Sequence, residues 1–174
     1  MRFLAAAVLG VLGVAGAAAP PSSPQDIPSP KDVVAVTAHA SPESVPRGGQ
    51  FKIVAELKIR SGFHINAREK SADYLIATDL RGTAPSGFQL GEVSYPKGAL
   101  HTFTFSKTPL NVYEGTIVLQ LPATALASAP LGSQHIALKL RYQACSTEIC
   151  LPPVTIPLDA SIQVVEGGAR PSRP

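Results

Sequence analysis

The sequence predicts an all-β domain from three observations: the alternation of apolar residues, the spacing of turn formers and the absence of a helical pattern. Apolar and polar residues alternate along several segments, which is the period of a strand that buries one face. Short clusters of proline, glycine and serine separate those segments. After the N-terminal stretch the sequence shows no long amphipathic helical pattern, and at most one helical turn is expected, over 123–129. These features predict an antiparallel β-sandwich of immunoglobulin-like type.

The first 19 residues have the composition of a secretory signal peptide. Arg2 is followed by an unbroken apolar run, 3–19, which ends in small residues as cleavage sites do. An uncleaved membrane anchor is the alternative, although the run is short compared with the ~20 residues that a spanning helix needs. In both cases the sequence predicts a periplasmic or otherwise exported protein.

Beyond this run the chain divides into a tether, one folded domain and a tail. Residues 20–30 are rich in proline and poor in apolar side chains, which is typical of an extended tether. Residues 166–174 have the same character and are expected to be disordered. The folded part is therefore predicted over 31–165, a length that suits one domain with its own core.

Within that span the strands are predicted from the alternation of apolar residues, in chain order. The clearest are 51–59, 117–121, 136–142 and 154–164. Shorter candidates are 33–38, 75–80, 88–95 and 102–105. Because turn formers rather than helices separate them, the connections favour antiparallel pairing over a βαβ arrangement.

Charge and motifs exclude several classes of function. The net charge is +3, and the 15 Lys and Arg residues are scattered, so the chain lacks the basic stripe of a nucleic-acid-binding protein. The sequence also lacks the G-x-S-x-G, HExxH and phosphate-binding glycine motifs of common enzymes. We therefore expect no nucleic-acid partner, no small-molecule substrate and no cofactor.

The chemistry is concentrated in the two cysteines of the chain, Cys145 and Cys150. They lie between two of the clearest strands, at the ends of a predicted hairpin connection. In an oxidising compartment two cysteines so close in sequence usually form a disulfide. Strand parity from 136–142 places Cys145 on the solvent side, where a partner thiolate could attack it. A redox-active disulfide is the favoured interpretation.

Two other interpretations remain open. The bridge could be structural, although a closed loop of about six residues contributes only ~2 kcal/mol by chain entropy. The protein would then be an exported binding or assembly module of immunoglobulin-like type. The pair could also hold copper or zinc together with His64, which is predicted to point outward with Asn66. Because the cysteine spacing is not the C-x2-C of common zinc sites, no metal ligands are predicted.

The residues around the cysteines form a short motif. Y-Q-A-C at 142–145 is followed, after a short loop, by C-L-P-P at 150–153. Segments at 62–66, 93–97 and 109–115 add weaker support. Together these segments resemble the N-terminal, periplasmic domain of the DsbD thiol:disulfide interchange proteins, and the chain is expected to be a stand-alone version of it.

The resemblance implies an immunoglobulin-like domain that passes electrons through Cys145 and Cys150 between a thioredoxin-like donor and exported protein clients. It implies thioredoxin-like redox proteins and a membrane reductase component as partners, a link to cytochrome c biogenesis, and a monomer. By position, Cys150 would form the mixed disulfide with the partner, and Cys145 would resolve it.

The resemblance also implies a cap that covers the sulfurs. The cap would be 110–115, with Tyr113 as an aromatic lid and Glu114 beside it. His64 and Asn66 fall where the best-studied family member has tyrosines near its active site. The acidic residues that precede the lid in that member are absent here, so the resemblance assigns no proton transfer to the cap.

Overall fold

The computed structural model describes residues 27–167, which form twelve β-strands and a short 3-10 turn at Pro30–Asp32. No helix in this part of the chain has the length and hydropathy to cross a bilayer. The predicted signal peptide, most of the predicted tether and residues 168–174 lie outside the described residues. The strands are β1 (Val34–Ser41), β2 (Ser44–Pro46), β3 (Gln50–Ile59), β4 (His64–Asn66), β5 (Asp79–Thr83), β6 (Phe88–Leu90), β7 (Ala99–His101), β8 (Leu110–Tyr113), β9 (Thr116–Ala125), β10 (Gly132–Tyr142), β11 (Ala144–Cys145) and β12 (Val154–Val165).

The strands form three four-stranded sheets, with the orders β1-β3-β9-β6, β2-β12-β10-β5 and β11-β4-β8-β7. Every pairing between these strands is antiparallel except that of β12 with β2. The first two sheets pack face to face, because one hydrophobic cluster contains Ile53 and Leu121 from the first and Leu138 and Ile162 from the second. The predicted all-β sandwich is confirmed.

Alternation in the sequence explains why the long strands form. In β3, Phe51, Ile53 and Leu57 are buried, while the polar residues between them face solvent. β10 and β12 pair over their full shared length, from Gly132 opposite Val164 to Tyr142 opposite Val154. The end of this hairpin leads directly into the loop that carries the two cysteines.

Three of the shorter predicted strands differ from those observed. The strand predicted over 75–80 is shifted to Asp79–Thr83, and that predicted over 88–95 ends at Leu90. The segment 102–105 is not a strand. The physical reason is that apolar residues in these segments, such as Leu75 and Phe103, pack into a second small core instead of pairing in a sheet. The turn expected over 123–129 begins only after β9 ends, and Ala129 N donates to Leu126 O at 2.9 Å.

The third sheet is covered on both faces. One face contributes Ile65, Tyr113 and Ala144 to the main core. The other face lies under a second cluster that contains Leu75, Phe103, Leu110 and Val112. β4 therefore has no solvent face, and all three of its residues are buried. This two-sided cover determines the environment of Cys145, because β11 is the neighbour of β4.

Candidate redox site at the cysteine hairpin

Cys145 and Cys150 are joined by a disulfide at the tip of the β10–β12 hairpin. Their backbones also face each other in an isolated antiparallel bridge. Within the loop Ser146 N donates to Ile149 O at 2.8 Å, which closes a tight turn between the two cysteines. The disulfide thus joins two residues that the backbone already holds together, so it contributes little as a structural staple.

The two cysteines differ in exposure. Cys145 is 1% exposed, whereas Cys150 is exposed at the surface. The prediction that Cys145 lies on a solvent face is wrong, because β11 pairs with a strand that is covered on both sides. The expected exposure is found at Cys150 instead. Of the two cysteines, Cys150 is therefore the one that a partner at the surface can contact.

His64 is the cross-strand partner of Cys145 in the β4–β11 ladder. The prediction that it points into solvent is wrong, since it is 2% exposed under the second cluster. The ring of Phe103 stacks on it with centroids 4.1 Å apart. Burial, assisted by nearby His101, lowers the pKa of His64 to about 4, so the ring is neutral at neutral pH. Its Nε2 atom has no hydrogen-bond partner among the described residues.

The loop between β7 and β8 covers the face of the third sheet on which His64 lies. Phe103 is 9% exposed and stacks between His64 and Phe105, with 5.3 Å between the centroids of the two phenylalanine rings. Phe105 is 44% exposed and lies at the outside of the stack. Sequence reasoning missed both residues as site residues, because their alternation was interpreted as a strand over 102–105. Two aromatic residues close together in a segment predicted as a short strand were the signal that the sequence offered.

Tyr113, the predicted lid, does not lie over the sulfurs. It pairs with Ile65 on the face of the third sheet that belongs to the main core, opposite the face of His64. Its hydroxyl donates to Pro96 O at 2.9 Å and accepts from Arg68 N at 3.2 Å. Burial raises the pKa of this hydroxyl. The predicted position of the lid is therefore wrong, because residues 110–113 form strand β8 rather than a loop.

Glu114 lies at the rim of the site. It is exposed, and its carboxylate is 3.7 Å from His101 Nδ1. His101 in turn has its ring centroid 6.2 Å from that of Phe103. The pair becomes an ion pair when His101 is protonated. The His101–Glu114 pair borders the aromatic stack at the surface.

Asn66 is 0% exposed, so its predicted outward orientation is also wrong. Its Nδ2 donates to Ile76 O at 3.1 Å and to Gln143 Oε1 at 3.5 Å. Gln143 Nε2 donates to Leu151 O at 3.3 Å. Gln143 therefore ties the residue after Cys150 to β4. Sequence reasoning assigned Gln143 to the motif without giving it this role.

The donor atoms near the site do not form a metal centre. Over residues 27–167, no group of three or more His, Cys, Asp or Glu residues is arranged to hold a metal ion. The two cysteine sulfurs bond to each other and are not thiolates. The chemistry that this arrangement allows is thiol attack on an accessible sulfur beside a buried one.

Comparison with known proteins agrees with this chemistry. A profile of the family described as thiol:disulfide interchange protein DsbD, N-terminal, matches residues 31–160. The N-terminal periplasmic domain of ScsB from Proteus mirabilis is similar in structure, with 16% identity and a TM-score of 0.53. The similarity covers 76% of this chain and 48% of that chain, so the matched region spans about half of that relative. No curated protein sequence matches the chain.

Two further solved structures are more distant. AggA, the major subunit of aggregative adherence fimbriae type I from Escherichia coli, has 12% identity and a TM-score of 0.40, over 76% of this chain and 95% of that chain. A family 123 glycoside hydrolase from Clostridium perfringens has 10% identity and a TM-score of 0.39, over 77% of this chain and 27% of that chain. Neither carries an argument about function. The ScsB similarity supports the predicted immunoglobulin-like fold.

Proposed function

The chain belongs to the family of DsbD N-terminal domains, and on that premise we propose that it accepts electrons from a thioredoxin-like donor and passes them to exported clients. Family membership and the cysteine pair make it a thiol-disulfide exchange domain. The proposal adds the partners, which are thioredoxin-like redox proteins and a membrane reductase component, and the compartment, which is the periplasm. It also assigns Cys150 as the attacked residue and Cys145 as the resolving one.

The observation that carries the proposal is the unequal exposure of the two cysteines. Cys150 is exposed in a short loop, while Cys145 is buried against His64. Exchange requires a sulfur that a visiting thiolate can approach along the disulfide axis. A bridge that serves only to staple the fold needs no accessible end.

Thiol-disulfide exchange through Cys145 and Cys150 conserves electrons and protons without a cofactor. A donor thiolate attacks Cys150 Sγ and forms a mixed disulfide, while the electron pair of the broken bond leaves on Cys145 Sγ. The donor's second thiol loses its proton and attacks the donor sulfur of the mixed disulfide, which releases Cys150 as a thiolate. Two electrons thus move from the donor to Cys145 and Cys150. The two thiolates formed take up two protons, one released when the donor's first thiol became a thiolate and one released by its second thiol.

The surroundings of Cys150 support docking of a protein rather than a small molecule. Ile149, next to Cys150, is 39% exposed, and Phe105 of the aromatic stack is 44% exposed. Exposed apolar side chains such as these give a partner surface that association can bury. Phe103, inside the stack, covers the face of the third sheet on which Cys145 lies and shields that side from small oxidants.

Trapping of the mixed disulfide tests the proposal. Cys145→Ser leaves the exposed Cys150 thiol without its resolving partner, so it should accumulate a covalent adduct with a thioredoxin-like protein in periplasmic extract. Cys150→Ser is the matched control, because its remaining thiol is buried and should give little adduct. If Cys145→Ser forms no adduct with a thioredoxin-like protein, the bridge is structural and the protein is an exported binding or assembly module.

A further inference from the structure

His64 and Cys145 lie side by side on a buried face of the third sheet. They are direct partners in the β4–β11 ladder and are 2% and 1% exposed. Directly opposed residues on one face of an antiparallel pair hold their Cβ atoms about 5 Å apart. Both lie on the face that Phe103 covers, while Ala144 and Ile65 occupy the opposite, core-facing side. The imidazole of His64 is therefore the polar ring next to the Cys145 side chain on this face.

One nitrogen of this ring is unpaired within the part of the chain that the structure describes. His64 Nε2 is buried and has no hydrogen-bond partner within residues 27–167. Asn66 Oδ1, two residues along the same face of β4, is also buried without a partner. Buried polar atoms in folded proteins are nearly always paired, so an exception calls for a physical explanation. The unpaired atom lies on the face of Cys145, the cysteine that exchange would convert from a bonded sulfur to a free one.

The oxidation state of Cys145 supplies that explanation. A disulfide sulfur has no hydrogen to donate and accepts only weakly, whereas a thiol donates and a thiolate is a strong acceptor. Reduction thus creates the partner that the imidazole lacks in the oxidised protein. We propose that His64 forms a hydrogen bond to the Cys145 sulfur when the disulfide opens, and so stabilises the reduced protein. This inference rests on the proposed exchange function.

The neutral imidazole suits both forms of the sulfur. When a donor thiolate attacks Cys150, the electron pair of the disulfide leaves on Cys145, and the tautomer with hydrogen on Nε2 donates to that thiolate. Once the sulfur has taken up the proton released by the donor's second thiol, the tautomer with a bare Nε2 accepts its S–H. The change of tautomer removes the proton from Nε2 and adds one at Nδ1, so the ring loses and gains one proton and stays neutral. His64 therefore acts on the reacting sulfur by hydrogen bonding.

The redox equilibrium tests this inference. The wild-type chain and the variants His64→Phe and His64→Gln are equilibrated with glutathione buffers, and the reduced fraction is measured by alkylation. His64→Phe keeps an aromatic ring for Phe103 and removes the hydrogen bond. Its equilibrium constant for reduction should fall about fivefold to tenfold, where tenfold corresponds to about 30 mV. His64→Gln keeps an N–H donor and should recover part of the wild-type value.

Controls separate the hydrogen bond from packing. His39→Gln alters an exposed imidazole in β1 and should leave the equilibrium constant unchanged. In the wild-type chain the ¹⁵N chemical shift of His64 Nε2 should change on reduction while that of His39 does not, a readout that needs no variant to fold. A folded His64→Phe with the wild-type constant, or an unchanged Nε2 shift, overturns the inference and leaves exchange intact. A wild-type disulfide that glutathione cannot reduce overturns the exchange function as well.

Discussion

The ring of Phe103 lies against the ring of His64, with centroids 4.1 Å apart and planes 20° from parallel. Since His64 is the cross-strand partner of Cys145, this stack closes the side of the third sheet on which Cys145 lies. Cys150, at the other end of the disulfide, stays at the surface. The two ends of the bridge therefore differ in exposure, with Cys145 enclosed and Cys150 at the surface.

Phe103→Ala should remove the cover and a packed aromatic side chain together. Because Phe103 is 9% exposed, we expect the free energy of unfolding to fall by about 3 kcal/mol. Reduction of the disulfide by dithiothreitol should become several times faster. Urea unfolding and a stopped-flow reduction assay measure the two effects.

Phe105→Ala is the matched control for that variant. Phe105 is 44% exposed, so its loss should cost clearly less stability than the loss of Phe103. The reduction rate should change less as well. Equal reduction rates in the wild-type protein and Phe103→Ala would show that the ring does not shield the disulfide.

Tyr113→Phe separates the observed role of this residue from that of a lid. The change removes a hydroxyl that bonds Arg68 N and Pro96 O, so it should lower the free energy of unfolding by about 1–2 kcal/mol. The rate of disulfide reduction should stay at the wild-type value, because Tyr113 faces the main core. A clear change in that rate, measured on folded protein, would show that Tyr113 does act as a lid over the disulfide.

The alternation of apolar and polar residues predicted the strands that bury one face. It failed for the strand whose two faces are both covered. β3, β10 and β12 were predictable because solvent lies on one side of each. β4 has two packed faces, so parity assigned His64 and Asn66 to solvent when both are buried. The covering segments come from elsewhere in the chain, and local sequence contains no information about that contact.

The candidate site was predictable only in its covalent centre. Close spacing and an exported context indicated that Cys145 and Cys150 form a disulfide, which the structure contains. The cover by Phe103 and the link through Gln143 depend on packing between distant segments. The resemblance to the family predicted a cap over the disulfide and assigned the role of lid to Tyr113. A short motif around the cysteines does not reveal which loop of the chain folds over them.

Acidification should destabilise the protein through His64. Its pKa is lowered from 6.5 to about 4 in the folded state, chiefly by burial. The unfolded chain therefore binds a proton at a higher pH than the folded chain, and stability falls as the pH drops from about 6.5 to about 4. At 1.36 kcal/mol for each pKa unit, the full loss is roughly 3 kcal/mol. Urea unfolding at several pH values measures it.

His64→Phe should remove this part of the pH dependence, since phenylalanine does not titrate. The comparison is the change in unfolding free energy between pH 7 and pH 4.5 in the variant and in the wild-type protein. His39→Gln, which alters an exposed ring, should keep the wild-type slope. The same slope in His64→Phe and the wild type would show that His64 is not held neutral by burial.

Gln143→Ala should loosen the cysteine loop. Gln143 accepts from Asn66 Nδ2 and Ile76 N and donates to Leu151 O, so its removal takes one hydrogen-bond partner from each of three part-buried groups. We expect a loss of about 1–3 kcal/mol in the free energy of unfolding and faster amide hydrogen exchange at Leu151. Gln134→Ala, which loses one exposed bond to Leu131 O, should have little effect. Equal losses in both variants would contradict a positioning role for Gln143.

The redox equilibrium of the full chain with a reduced thioredoxin-like protein tests the central claim most directly. We predict that the Cys145–Cys150 disulfide is reduced by that donor, with a reduction potential above the value of about −300 mV below which structural disulfides typically lie. The double variant Cys145→Ser/Cys150→Ser should take up no electrons. A disulfide that stays intact in excess reduced donor, with a potential below about −300 mV, would contradict the account.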